Sequence, residues 1–130
     1  MDALARGVRT ALIVEPDVQS AKLLAVVLHN SGFQTHVVAS GEAATKLLAA
    51  FKFHVVVLEL ELPVMSGLML IETIRATPAI RETPVIVATS NNDPEHKRRA
   101  RAVGCTKFVT KPVDVGSLGT QILELIGEQP

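Results

Sequence analysis

Five short runs rich in β-branched residues punctuate the chain: ALIVE from Ala11, QTHVV from Gln34, HVVVLE from His54, PVIVAT from Pro84 and KFVT from Lys107. Each has the length and composition of a strand. Their starts fall in rough steps of twenty to thirty residues, which leaves room for one helix between neighbours.

Helical periodicity fills those gaps. Asp17 is a good N-cap for a first helix that carries Leu24, Val27, Leu28 and Ser31 on one face and stops at Gly32. Ser40 predicts the cap of a second, with Ala44, Leu47, Leu48 and Phe51 inward. A third follows Ser66 and Gly67, turns Leu70, Ile71 and Ile74 inward, and ends before Pro78. A fourth runs from Asp93 to Val103 and is stopped by Gly104. The last begins near Asp114, with Leu118, Ile122, Leu125 and Ile126 on one face. Gly116 and Gly119 fall in its first turns and cost up to ~1 kcal/mol each against alanine, so this helix is expected to start late or fray.

Strand then helix, five times over, implies parallel strands joined by right-handed crossovers, with helices on both faces of the sheet. The first, third and fourth strands are the most uniformly apolar, as central strands are; QTHVV is more polar and suits an edge. The expected fold is α/β: a flavodoxin-like (βα)5 doubly wound parallel sheet with strand order 2-1-3-4-5. In such sheets ligands sit outside the carboxyl ends of the strands, at the switch point between strands 1 and 3.

Composition narrows the picture. A chain of 130 residues that is 48% hydrophobic fits one domain with a real core. Thirteen basic and thirteen acidic side chains cancel, so total charge gives no case for general attraction to nucleic acid or an anionic membrane. No apolar run approaches the ~18 residues of a membrane span, and the start, MDALARGVRT, lacks the apolar stretch of a secretory signal; a cytoplasmic protein is expected. Cys105 is the single cysteine, which excludes an internal disulfide and argues against a thiolate metal site. His29, His36, His54 and His96 are scattered, with no pairing at metal spacing.

The strand ends are where chemistry gathers. Glu15-Pro16-Asp17 follows strand 1, Glu59 follows strand 3 with Glu61 two residues on, Thr89-Ser90 follows strand 4, and Lys111-Pro112 follows strand 5. Acids, a hydroxyl and an ammonium therefore converge on one edge. No Gly-rich phosphate loop follows the first strand and no nucleophile is paired with a base, which argues against a small enzyme on this fold.

With ALIVEPD, VVVLELELPVMSG, PVIVATS and GCTKFVTKP in place, the chain resembles the receiver domain of two-component response regulators. The resemblance spans nearly the whole length: one domain over 1–130, with its core over about 9–127. In that family an aspartate at the Glu59 position accepts a phosphoryl group from a histidine kinase, and Mg²⁺ is held by the acceptor, two acids after strand 1 and a backbone carbonyl. The resemblance makes Glu15, Glu59 and the Glu61 carbonyl the metal positions. It gives Thr89, with Ser90 beside it, and Lys111 to the phosphoryl oxygens, and Phe108 to the aromatic switch position. Lys111-Pro112 matches a peptide bond that is cis in the family.

Two positions depart from the pattern. Glu59 stands where the family has aspartate, and Pro16 stands at the second metal-binding acid. The extra methylene of glutamate moves the carboxylate by roughly 1 to 1.5 Å, and misplacement on that scale can cost about a hundredfold in a positioned reaction. Proline offers no side-chain oxygen, so a cation with strict octahedral demands loses a ligand; Mg²⁺ is the only cofactor implied, and its site is weakened. Asp17 could substitute, although an acid before a helical pattern is also the commonest capping signal. Glu59 is expected to reach toward the phosphoryl position as a partial, permanent mimic near Thr89, with an ion pair to Lys111 at rest. Crowding of Glu15, Asp17, Glu59 and Glu61 is expected to raise the pKa of at least one, partly offset by Lys111.

The expectation is thus a stand-alone pseudo-receiver, a non-enzymatic signalling module acting by protein contacts. The alternative is an Mg²⁺-dependent phosphoacceptor modified at Glu59 or Asp17. The partner is expected to be a protein: a histidine kinase, an output protein or another receiver, a homodimer included. Two surfaces offer themselves. One is the surface of the fourth helix, fifth strand and fifth helix; the run HKRRAR sets Lys97, Arg98 and Arg101 on one face of that fourth helix, with His96, Ala100 and Val103 inward. The other is the apolar loop Leu62 to Met69, where Leu68 and Met69 fall off the inward face. The basic helix lacks stacking aromatics and the chain is neutral, which argues against nucleic acid.

Overall fold

The computed structural model describes residues 8–127. Five parallel strands, β1 (Arg9–Val14), β2 (Phe33–Val38), β3 (Val55–Leu58), β4 (Val85–Thr89) and β5 (Lys107–Thr110), form one sheet in the order 2-1-3-4-5. Helices α1 (Val18–Asn30), α2 (Gly41–Ala50), α3 (Gly67–Ala76), α4 (Pro94–Val103) and α5 (Leu118–Leu125) connect and follow them. The flavodoxin-like reading therefore holds in strand order as well as in element order. β3 and β4 are buried along their whole length and β1 at all but Arg9, whereas the edge strand β2 mixes buried and exposed positions.

Two cores sandwich the sheet. Even-numbered β1 side chains Leu12 and Val14 pack with Val56 and Leu58 under α2, α3 and α4. Odd-numbered Ala11 and Ile13 pack with Val55 and Val57 under α1 and α5. The period-two alternation of side chains along strands splits these neighbours between the faces.

The caps expected at Asp17 and Ser40 are present, and Ser66 and Asp93 cap α3 and α4 in the same way. Asp17, Ser40, Ser66 and Asp93 each accept a backbone N–H from the first turn of their helices, and Gly104 ends α4 in the left-handed region at φ 113°. The last helix does start late, at Leu118, and Ser117 makes no side-chain cap. Two inward assignments need correction. Phe51 is the C-cap of α2 in extended conformation and lies exposed, because the helix has ended before its side chain could follow the apolar face. Leu125 is exposed as well, and Leu123 takes the buried place beside Ile122. A helix that begins at Leu118 and not Asp114 sits differently on the sheet, and Gly119 packs so closely on α1 that a Cβ there would meet Ser31 Oγ.

Register does the positioning that matters for the carboxyl edge. Val14 pairs with Leu58, so Glu15 and Glu59 leave adjacent strands at the same height. Thr89 pairs with Thr110, so Lys111 emerges beside Thr89.

Candidate functional site at the carboxyl edge of the sheet

Glu15 and Glu59 are both buried, 3% and 7% exposed, although a carboxylate seldom is. Their satisfaction explains it. Lys111 Nζ donates to Glu15 Oε1 at 2.5 Å and to Glu59 Oε1 at 3.1 Å, so one ammonium bridges two carboxylates. The second oxygen of each acid is taken by backbone. Glu15 Oε2 accepts the Asp17 N–H at 3.0 Å, while Glu59 Oε2 accepts the N–H of Leu60 at 2.7 Å and of Glu61 at 3.3 Å.

The expected Glu59–Lys111 ion pair is present through Oε1, while Oε2 turns to the backbone. The Glu59 carboxylate curls back onto the amides that follow it, since the added methylene lets the oxygen close a short ring with Leu60 N–H. No hydrogen bond joins Glu59 to Thr89 among the described residues. Thr89 is fully buried and its Oγ1 accepts the N–H of Asn91 at 3.3 Å. The Glu59 charge is paired with Lys111, and no hydrogen bond among the described residues carries it on to the Thr89 hydroxyl. Phe108, opposite Val87 in register, is half-buried against the core under α3 and α4.

Asp17 belongs to the helix. Its Oδ2 accepts the Ser20 N–H at 2.8 Å, and hydrogen bonds from the Ser20 backbone and side chain hold its carboxyl below the usual carboxylate range. Asp17 is therefore not the acid raised by crowding, since the capping hydrogen bonds favour its charged form. For Lys111, burial by itself would lower the pKa; hydrogen bonds and charge from Glu15 and Glu59 outweigh it, and the net shift is upward.

Glu61 is exposed and contributes its N–H to Glu59. Among the described residues no three carboxylate, imidazole or thiol groups gather to hold a metal ion. Pro16 adds no side-chain oxygen and Lys111 already holds Oε1 of both Glu15 and Glu59, so a Mg²⁺ site here would have two carboxylates where the resemblance implies three, and would compete with the ammonium for them. The Lys111-Pro112 bond is cis, as the resemblance implies. Lys111, Pro112 and Ser90 line a groove of about 380 Å³ with Gln19, Ser20 and Leu23 of α1.

Three features of the site are less visible in sequence. Gly67 lies so near β3 that a Cβ would stand 2.6 Å from the Glu59 carbonyl oxygen and from Leu60 Cα. The glycine after the Ser66 cap was the available signal. Val64 adopts φ 64°, a conformation that suits glycine or asparagine and strains a β-branched residue, and it is 93% exposed. Of the loop's other apolar residues, Met69 is 53% exposed, while Leu62, Met65 and Leu68 pack partly on the core.

A family model described as the response regulator receiver domain matches residues 11–123. The chain belongs to that family. This receiver domain is 26% identical over 115 residues to "Probable transcriptional regulator ycf29" of Porphyra purpurea, covering 88% of the chain and 55% of that relative. It is 26% identical to "Polar-differentiation response regulator DivK" of Brucella ovis, covering 92% and 98%. Among solved structures, the signal receiver domain of a histidine kinase from Syntrophus aciditrophicus superposes with TM-score 0.84 at 28% identity, over 92% and 90% of the two chains. The chain thus spans about half the length of the first curated relatives and nearly all of DivK. No helix among the described residues is long and apolar enough to cross a membrane.

Proposed function

We propose that this receiver domain is a pseudo-receiver: a two-component signalling module that acts by protein contact and does not take a phosphoryl group on Glu59. The observation that carries the reading is the commitment of both buried acids, each to Lys111 through one oxygen and to backbone N–H groups through the other. Three of the roughly four lone-pair sites of the Glu59 carboxylate are taken in this arrangement, which makes it a poorly available nucleophile toward phosphorus. Glu59 stands for the family's acceptor aspartate and Pro16 for its second metal acid. Lys111 supplies the positive charge that the cation supplies elsewhere, so the fold's acid pair is satisfied internally. Thr89, Ser90, Phe108 and the cis Lys111-Pro112 corner then serve as scaffold of the signalling face and not as phosphoryl ligands.

Such a module signals through its surface. The partners proposed are a histidine kinase, an output protein or another receiver, docking on the face of α4, β5 and α5 or on the loop Leu62 to Met69.

The test is phosphorylation by acetyl phosphate with Mg²⁺, read by intact mass, on the native protein and on the double variant Glu59→Asp/Pro16→Asp. The native protein is expected to stay unmodified while the variant gains one phosphoryl mass. An adduct on the native protein mapped to Glu59 or Asp17 would replace this reading with the phosphoacceptor one.

A further inference from the structure

Between Glu61 and Glu72 the chain runs through an uncharged stretch, LPVMSGLMLI. Leu70 and Ile71 are buried and Leu62, Met65 and Leu68 pack partly on the core, but Pro63, Val64 and Met69 stand in solvent. The Met65 N–H donates to the Pro63 carbonyl at 2.7 Å, which closes a three-residue turn around Val64 with φ at 64°. A turn of that kind with positive φ at its centre is rare and strained, and a β-branched residue strains it further. At 93% exposure the Val64 side chain gains almost no burial in return. Backbone strain and apolar exposure therefore coincide at one residue.

The turn is held in place on both sides. Met65 fits so closely against the start of α2 that a Cβ on Gly41 would stand 2.8 Å from its Sδ. The Leu60 carbonyl accepts the N–H of Leu62 at 3.2 Å and of Gly67 at 2.8 Å, which draws the two ends of the loop together. Strain of this sort persists only where the surroundings impose it, and it collects at sites that bind. An apolar tip ordered by folding has little further freedom to lose when a partner covers it.

Charge around the tip says what that partner is. Exposed carboxylates border it: Glu61 before the turn, Glu42 next to Gly41 on α2, and Glu72 one turn beyond Met69 on α3. From Phe53 to Ile74 the sequence has no lysine or arginine. On the flanking helices, Arg75 directs its guanidinium to the carbonyls of Gly104, Arg81 and Thr83 beyond the far end of α3, and Lys46 lies a turn further along α2 than Glu42. Lys111 is held by Glu15 and Glu59. An acidic border repels nucleic acid and anionic lipid alike, and it attracts an apolar surface flanked by cations. The two methionines adapt to whatever apolar side chains they meet.

We propose that the loop Leu62 to Met69 is the docking site for a basic amphipathic helix of a protein partner. Val64 and Met69 lie against the apolar stripe of that helix, and Glu42, Glu61 and Glu72 face its lysines or arginines. This docking is the protein contact through which the proposed pseudo-receiver acts, and it rests on that reading. Phosphorylation and helix binding are separate measurements, so failure of one is distinguishable from failure of the other.

The test is NMR titration of the isotope-labelled full chain with two short amphipathic peptides, one built of leucine and lysine and the other of leucine and glutamate. The leucine–lysine peptide is expected to move the amide signals of Leu62 to Met69 and of Glu42 and Glu72. Its glutamate counterpart should bind at least about tenfold more weakly. Val64→Asn should weaken the leucine–lysine peptide about tenfold while the thermal unfolding midpoint stays at or above that of the native protein, which separates lost docking from lost folding. Met69→Gln, at an exposed position free of backbone strain, and Glu61→Lys/Glu72→Lys should each weaken it as well, with circular dichroism unchanged. No binding of the leucine–lysine peptide, signal changes centred away from this loop, equal binding of both peptides, or variants that bind as the native protein does would each overturn the proposal. Binding of random duplex DNA or phosphatidylserine vesicles at the loop in place of the peptide would assign the surface to another class of partner and overturn it too.

Discussion

Lys111 Nζ reaches Glu59 Oε1 at 3.1 Å across 52 residues of sequence, and the same ammonium holds Glu15. Two buried carboxylates thus depend on one cation. Replacing Lys111 with methionine keeps the stem volume and leaves both acids facing each other without a counter-charge. Removing one partner of a buried pair is costly; with some allowance for the partial exposure of Lys111, about 2 to 3 kcal/mol of stability should be lost. Urea denaturation measures it. The triple variant Lys111→Met with Glu15→Gln and Glu59→Gln should recover much of the loss, and failure to do so would show that the charges are not its cause.

The pH dependence has two limbs with opposite signs. Lys111 titrates higher folded than unfolded, so its contribution is complete below the ordinary lysine value of 10.5 and is lost as pH rises through the raised folded value. Asp17 titrates lower folded than unfolded, so its contribution is complete above the ordinary value of 3.8 and is lost as pH falls through the lowered one. Urea midpoints measured against pH should show the alkaline limb shrink in Lys111→Met. The acid limb should shrink in Asp17→Asn, which keeps a capping oxygen but no charge.

Val64 offers a stabilising substitution. Asparagine tolerates φ 64° where a β-branched residue does not, and at 93% exposure valine has little burial to lose. Val64→Asn should raise stability by about 1 kcal/mol in urea. A loss of stability would mean that the Val64 side chain makes a contact worth more than its backbone strain.

Arg75 ties three segments together. Its guanidinium donates to the carbonyls of Gly104, Arg81 and Thr83 and to Thr106 Oγ1, which links the end of α3 to the turns before β4 and β5. Arg75→Met should cost about 2 kcal/mol in thermal or chemical unfolding, because several carbonyls lose their donor. Arg75→Lys should recover little, since one ammonium cannot span acceptors that a planar fork reaches.

Gly67→Ala tests the loop that carries the amides bound to Glu59. The added methyl meets backbone atoms at 2.6 Å, and backbone yields poorly. A loss of about 1 to 3 kcal/mol is expected, together with altered amide signals at Leu60 and Glu61 in NMR spectra.

Elements, two of the caps and strand order were legible because each rests on near neighbours: β-branched runs for VVVL and VIVAT, capping oxygens at Asp17 and Ser40, and apolar spacing along α1 and α3. The convergence of Glu15, Glu59, Thr89 and Lys111 on one edge was legible too, since parallel strands of a doubly wound sheet all end on the same side. Phe51 and Leu125 were not, because a helical face continues on paper past the point where the helix ends.

By itself the sequence determined that glutamate ends β3 and that proline follows Glu15, which are facts of composition at two positions. Only the tertiary structure decided what the Glu59 carboxylate does. Its direction is set by a lysine 52 residues away, by register that brings Glu15 alongside, and by a glycine that lets the next helix close over its backbone. A charged side chain at a sheet edge takes the donors that folding brings within reach, and no local pattern in the chain encodes which those are.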